Sequence, residues 1–396
     1  MDGPHRSSRR EFLQGKSAGH ALGDLAQQGL ALPGAYDAPQ ADSSYLLHIG
    51  RQAMACQFQV YLNAGQYANE TEAALAALDA LEPLEEMLSY FRPTSQLSRV
   101  NLRAAYEAVE VEPPLFELFE LALRLHADTG GAFDMTAAPL WEVWGFARRQ
   151  GAMPSGEQIA DALQCVGSHL VQLDRQQRTI RFAKPGVRLN LGSIGKGYAV
   201  DCCGAALLAA GVEHFLVHGG GSSLVARGDR GAAQRTEEPP ASGDETVAAA
   251  DARAGSTSAP ASGTTAGWDV GLPHPLRPER RLGEFRVRDR AMGTSGSQAQ
   301  SFWHQGRRYG HILDPRTGRP AQNAFSVSVL APCGALADAL STAFYVMRPE
   351  EVLEYCKQHP EIGVALSCPA RRAGGLELKT ANLTPNDLIL GEPTPD

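Results

Sequence analysis

No run of apolar residues in this 396-residue chain approaches the roughly 20 that a helix needs to cross a bilayer. There is no CxxC pair. The seven cysteines (Cys56, Cys165, Cys202, Cys203, Cys333, Cys356 and Cys368) are scattered and odd in number, which suggests neither a disulfide framework nor a zinc site. Buried thiols are the default reading. Positive charge is short as well. The 36 Lys and Arg against 44 Asp and Glu leave a net charge of −8, whereas a nucleic-acid-binding face needs a basic excess to neutralise phosphates. What the chain does have is 43% hydrophobic and 20% charged residues, the balance of a globular protein able to bury one large core or two smaller ones.

Two stretches stand apart from that balance. Residues 1–45, rich in Gly, Ala, Gln and Pro, read as a mobile tail. Within it "SSRREFLQ" (7–14) looks like a twin-arginine export signal, but Lys16, His20, Asp24, Gln27 and Gln28 interrupt the apolar stretch that should follow. The expectation is a periplasmic protein if that signal functions and a cytoplasmic one otherwise. Residues 229–266 contain one large aliphatic residue, Val247, and no aromatic, too little apolar surface to offset the entropy of ordering. They are expected to form a disordered insertion between ordered segments at 46–228 and 267–390.

Inside the ordered segments strands and helices mix. "QFQVYL" (57–62) alternates like a half-buried strand. Leu75, Leu78, Leu84 and Leu88 follow helical spacing, with Pro83 predicted to kink or break the helix. "PPLFELFELALRLHADTGG" is a helix with Pro at its start and Gly130-Gly131 past its end. "HLVQLD" and "TIRFA" read as a hairpin, "VRLNL" as a strand, and "GKGYAVDCCGAALLAAG" as a helix closed by Gly211. Strands at "HFLVHG", "SLVARG", "WDVGL", "EFRVRD" and "FSVSVLAP" follow, the last leading into a helix, "GALADALSTAFYVM". Hairpins mixed with crossovers predict an α+β fold rather than a doubly wound parallel sheet.

Four segments carry candidate chemistry. Asp338 and Thr342, four apart on one helix face, offer a carboxylate and a hydroxyl, hard oxygen ligands suited to Mg2+. "LNLGSIGKGYAVD" (189–201) is a Gly-rich turn opening a helix, where backbone N–H groups can receive phosphate, although it matches neither a Walker loop nor a dinucleotide fingerprint. "GGAFDMTAAPLWEVWGF" (130–146) crowds Trp141, Trp144 and Phe146 together, either as core or as walls for a planar ring. "YGHILDPRTGRPA" (309–321) sets His311 beside a sharp turn, which is either a hairpin with an incidental imidazole or part of a site.

Taken in order, these segments, with "LSYFRPTSQLSRVN" and "GTSGSQAQSFWHQGRRYGHILDPRTGRP", resemble the ApbE family of FAD:protein FMN transferases from about Met54 to about Met347. The resemblance implies a T-fold-like α+β architecture of antiparallel sheets packed by helices, in one large catalytic domain. It implies Mg2+-dependent transfer of FMN from FAD to a threonine hydroxyl of a protein acceptor carrying a Ser/Asp-Gly-x-Thr-Ser/Ala motif, such as a redox-complex subunit, with release of AMP. Hydrolysis of FAD to FMN and AMP, and non-catalytic FAD binding, are the alternatives. Carried over by position, Asp338 and Thr342 hold the metal with Ser193, and Ser341 stands where some relatives have a second Asp. Met54, Phe91, Ala132, Phe133, Asp134, Asn190, Lys196 and Leu313 contact FAD. The resemblance makes His311 the candidate for handling the acceptor proton, since an imidazole titrates near working pH. Phe91 stands where the family often has Tyr, Asn190 for a frequent Asp, and Lys196 where some members carry Glu. In the insertion, "SGTTA" (262–266) presents Thr265 in the acceptor context, a match that low-complexity sequence readily produces by chance.

Overall fold

The computed structural model describes residues 45–231, 267–277, 279–296, 300–370 and 375–391. The expected tail, the bulk of the expected insertion and Thr265 lie outside the described residues.

Alternating apolar residues build an eight-stranded antiparallel sheet whose spatial order follows the chain: β1 (Leu46–Ala53), β2 (Cys56–Asn63), β3 (Phe215–Gly219), β4 (Ser223–Arg227), β5 (Arg290–Gly296), β6 (Ser326–Ala331), β7 (Gly363–Pro369) and β8 (Leu376–Ala381). The period of two divides its faces. Phe58, Val60 and Leu62 of β2, Phe215 and Val217 of β3, and Val327 and Val329 of β6 join the helices in the main core. Leu216, Leu224, Met292 and Leu330 point the other way and meet Trp268, Phe285 and Leu388 of a three-stranded sheet formed by Trp268–Pro273, Arg281–Val287 and Leu388–Leu390.

The connections carry the helices. Between β2 and β3 lie α1 (Glu70–Asp79), α2 (Leu81–Leu88), α3 (Gln96–Arg103), α4 (Pro113–Asp128), α5 (Ala138–Val143), α6 (Gly156–Leu163) and α7 (Gly195–Ala209). Between β6 and β7 lie α8 (Gly334–Val346) and α9 (Pro349–Gln358). The helix break expected near Pro83 falls at Ala80, which leaves Pro83 in the first turn of α2, where its missing N–H costs nothing. "VRLNL" forms no strand: the Asn101 side chain occupies both backbone groups of Leu189, at 2.7 and 2.9 Å, and Asn190 N–H donates to the Met135 carbonyl, so no ladder is left to make.

Helix α8 packs on β5 and β6 and against α7, and is buried along nearly its whole length. Glycines permit this proximity. A Cβ on Gly197 of α7 would stand 2.0 Å from the Gly334 carbonyl oxygen, and one on Gly334 would stand 2.4 Å from that of Gly197.

Candidate active site

The N-terminus of α7 faces the first turns of α8. Asp338, 3% exposed, accepts the Gly197 N–H on Oδ2 at 3.0 Å, and Lys196 Nζ stands 4.0 Å from the same oxygen. Lys196 is itself held by the Gly192 carbonyl at 3.2 Å. The positive end of a helix dipole and an ammonium thus both meet one buried carboxylate, which needs such compensation. Asp338 Oδ1 accepts no hydrogen bond among the described residues. One turn on, Ser341 Oγ donates to the Asp338 carbonyl at 2.8 Å, and Ser295 Oγ of β5 lies 2.8 Å from Ser341 Oγ and 3.3 Å from Thr342 Oγ1. A carboxylate oxygen beside clustered hydroxyls is a hard donor set, the kind Mg2+ takes with water and phosphate oxygens completing its shell. No group of three or more His, Cys, Asp or Glu able to hold a metal occurs among the described residues.

His311 donates from Nδ1 to the Gln300 carbonyl at 3.0 Å, if that nitrogen carries the proton as a carbonyl partner requires, which leaves Nε2 with a free lone pair. Burial lowers its pKa below the ordinary 6.5, and the positive charge of Lys196 lowers it further, against the opposing pull of the Gln300 carbonyl. Lys196 therefore links His311 to Asp338 electrostatically. The same two groups, Lys196 and Asp338, act on Cys56, whose thiol is pushed up first by burial. Cys56 follows the β1–β2 turn of Met54 and Ala55, both with positive φ (49° and 58°) although neither is glycine. Strain of that kind is held by surroundings. Here Glu85 Oε2 accepts the Met54 N–H at 3.1 Å and pairs with Arg92 at 3.0 Å.

A family model described as the ApbE family matches residues 54–366. The chain belongs to the ApbE family. It is 30% identical over 331 residues to the FAD:protein FMN transferase of Treponema pallidum (strain Nichols), covering 80% of this chain and 82% of that protein. Against the FAD:protein FMN transferase of Haemophilus influenzae it is 26% identical over 324 residues, 79% of this chain and 84% of the relative. The crystal structure of the ApbE protein from Thermotoga maritima superposes with a TM-score of 0.67 at 25% identity, over 84% of this chain and 96% of that one. The apo flavinyl transferase ApbE of Pseudomonas stutzeri gives 0.68 at 25% identity, over 85% and 94%.

The other positions implied by the ApbE resemblance fall in distinct settings. Phe91 is 64% exposed, its ring tilted 6.1 Å from that of Trp141 and edge-on to Tyr90, an open aromatic face. Ala132 and Phe133 turn their side chains into the core, so any ligand contact from them comes through the backbone. Asp134 is saturated by its own neighbourhood: Oδ1 accepts from Thr136 N–H (2.8 Å), Thr136 Oγ1 (2.6 Å) and Ser168 Oγ (3.2 Å), and Oδ2 pairs with His126 at 3.1 Å. Burial would raise its pKa, but the His126 and Thr136 hydrogen bonds outweigh that and hold it below the ordinary carboxylate value. A cavity of about 310 Å³ separates this loop, at His126 and Asp134, from the turn at Pro315 and Arg316. A larger surface groove near Arg99 and Arg178 is lined by none of the implied residues.

Asn190 spends its carboxamide oxygen on the Gly192 N–H at 2.8 Å, closing the turn that leads into α7, and half-buried Ser193 lies in that turn four residues before Gly197. Leu313 is buried beside Trp144 and Phe146 at the base of the hairpin closed by Asp314, which accepts the Gly318 N–H on its carbonyl at 2.8 Å. The structure thus gathers Lys196, Asp338, Ser341 and Thr342 directly, while His311 feels the Lys196 charge without a hydrogen bond or ion pair to it among the described residues. No hydrogen bond or ion pair joins Phe91 or residues 132–134 to that group among the described residues. Ser295 and Glu85 were not legible as site residues. A serine in "GTSG" gives no periodic signal, and Glu85 is one of three glutamates on a short amphipathic helix.

Proposed function

We propose that this flavin transferase moves FMN from FAD to a threonine hydroxyl of an acceptor protein, with release of AMP and dependence on Mg2+. Asp338, Ser341 and Thr342, with Ser193 from the facing turn, would hold the ion, which would supply positive charge to the bridging phosphate oxygens. Lys196 and the amides opening α7 add fixed positive potential where the pyrophosphate gains negative charge as the P–O–P bond breaks. His311 takes the threonine proton on Nε2 as the hydroxyl oxygen bonds to the FMN phosphorus; its depressed pKa keeps it neutral, and the Gln300 carbonyl fixes its tautomer. The exposed ring of Phe91 offers a stacking face to the planar flavin or adenine.

The observation that carries this reading is the buried Asp338 carboxylate, one oxygen bound to the α7 N-terminus and the other without a donor among the described residues, beside Lys196. The test is AMP release together with yellow-product formation on a threonine peptide of the Ser/Asp-Gly-x-Thr-Ser/Ala type, in the presence of FAD and Mg2+. Asp338→Ala should abolish both. AMP release without flavin on the peptide would replace transfer by hydrolysis, and full activity of the variant would remove the metal assignment.

A further inference from the structure

Helices α7 and α8 carry the same five-residue pattern at their contact. Gly197-Tyr198-Ala199-Val200-Asp201 on α7 meets Gly334-Ala335-Leu336-Ala337-Asp338 on α8. In each, the glycine and the aspartate are four apart and so share a face. Each glycine gives the other helix's backbone room that a side chain would remove. Each aspartate then accepts hydrogen bonds from the first turn of the opposite helix. Asp338 Oδ2 takes the Gly197 N–H at 3.0 Å. Asp201 takes the Gly334 N–H on Oδ1 at 2.6 Å and the Ala335 N–H on Oδ2 at 2.9 Å. These are donors a helix cannot satisfy for itself, and the α8 N-cap residue, Cys333, makes no side-chain cap bond.

The exchange is reciprocal in partners but unequal in saturation. Asp201 has both oxygens engaged, whereas Asp338 keeps one oxygen without a donor among the described residues. We propose that Asp201 is the positioning residue of the metal site: through the paired Gly-x-x-x-Asp clasp it fixes the register of α8 on α7, so that the free oxygen of Asp338 is held in place before any cation arrives. Asp201 itself touches neither ion nor nucleotide. This rests on the reading of Asp338 as a metal ligand.

Mn2+ binding to the full chain, followed through the electron paramagnetic resonance of the free ion, tests it. Asp201→Asn and Asp201→Ser should raise the Mn2+ dissociation constant by about 10-fold or more, the usual cost of losing an outer support of a metal ligand. Flavin-fluorescence affinity for FAD should stay close to that of the wild type, and AMP release should recover at saturating Mn2+; Asp338→Ala should not recover. Wild-type binding with unchanged affinity in both folded variants overturns the inference alone. A wild type that takes up no Mn2+ overturns the metal reading and the inference with it. Should both substitutions unfold the chain, the wild type decides through amide exchange. Mn2+ should slow exchange at Gly334 and Ala335 as well as at Gly197, and slowing at Gly197 alone would refute the coupling.

Discussion

Substituting Gly197 by alanine adds one methyl group at the tightest contact between α7 and α8. That Cβ would lie 2.0 Å from the Gly334 carbonyl oxygen, 2.5 Å from its carbon and 2.7 Å from the Asp338 Cβ. Two of these are backbone atoms, so no rotamer change relieves them; the helices must part by about 1.4 Å to reach the 3.4 Å of ordinary contact. Overpacking of this kind costs about 1–3 kcal/mol. The separation also stretches the Gly197 N–H to Asp338 bond, and a hydrogen bond to a charged group contributes about 1.5–3 kcal/mol. Together they predict a loss of about 2.5–6 kcal/mol. At about 2 °C per kcal/mol for a chain of this size, Tm falls by about 5–12 °C. The control lies two residues away in the same helix: a Cβ on Gly195 meets only Leu88 Cδ1, at 3.8 Å, so Gly195→Ala should be neutral or gain up to about 1 kcal/mol of helix propensity. Differential scanning calorimetry with the AMP-release assay gives both readouts. Equal Tm and equal rate for the two variants would refute the packing argument.

His311→Gln should lower kcat by about 10²- to 10⁴-fold with little change in KM for FAD, as expected for loss of a proton acceptor, measured by steady-state AMP release. Because burial holds the wild-type imidazole below 6.5, its neutral form persists to more acid pH than free imidazole; the acid limb of kcat/KM should fall through that lowered value and should disappear in the variant. Glu85→Ala should raise KM for FAD by about 10-fold, roughly the 1.4 kcal/mol of one lost hydrogen bond to the strained Met54 turn, with kcat nearly unchanged; an unaltered KM would separate that turn from the nucleotide. His126→Gln should destabilise the chain most between the ordinary values of 3.8 for Asp134 and 6.5 for His126. The lowered Asp134 pKa contributes stability above its unfolded value, lost as pH falls, and the raised His126 pKa contributes stability below its unfolded value, lost as pH rises. Thermal melts across pH measure that window.

Much of the architecture was written locally. The Pro start and double-glycine end of α4, the largely apolar run of α8 and the polar turn between Val171–Asp174 and Thr179–Phe182 depend on neighbours within a few residues, and they fold as their local patterns require. What was not legible depends on long-range partners. The "VRLNL" segment has strand composition, but a single asparagine 88 residues earlier takes its backbone groups. Leu388–Leu390 pairs with Arg281–Val287 across about a hundred residues of chain, a partnership that no local pattern specifies although "EFRVRD" itself reads as a strand. At the site, the spacing of Asp338 and Thr342 was readable on one helix face and Lys196 entered only through the ApbE resemblance, whereas Ser295 lies beside Ser341 and Thr342 because Gly293 lets β5 approach α8, its Cβ position lying 2.3 Å from the Ala337 carbonyl.

Hydrogen-bond saturation distinguishes three aspartates that composition cannot. Asp134, Asp201 and Asp338 are all largely buried and all sit beside glycine-rich turns or contacts. Asp134 has four donors around its two oxygens and organises a loop. Asp201 has two backbone donors, one for each oxygen, and joins two helices. Asp338 has one backbone donor on one oxygen, with an ammonium standing off at 4.0 Å, and so keeps an unspent lone-pair face. Its other oxygen is not among the buried side-chain atoms that lack a partner, so it stays open to an external one, and the hydroxyls of Ser341, Thr342 and Ser295 lie nearby as further hard oxygen donors. The same accounting predicts the ranking of neutral replacements: Asp134→Asn and Asp201→Asn should lower Tm, because an amide nitrogen faces a donor in each. Asp338→Asn should lower it least while abolishing AMP release. A Tm loss at Asp338 as large as at Asp134 would mean that its free oxygen is already satisfied within the fold.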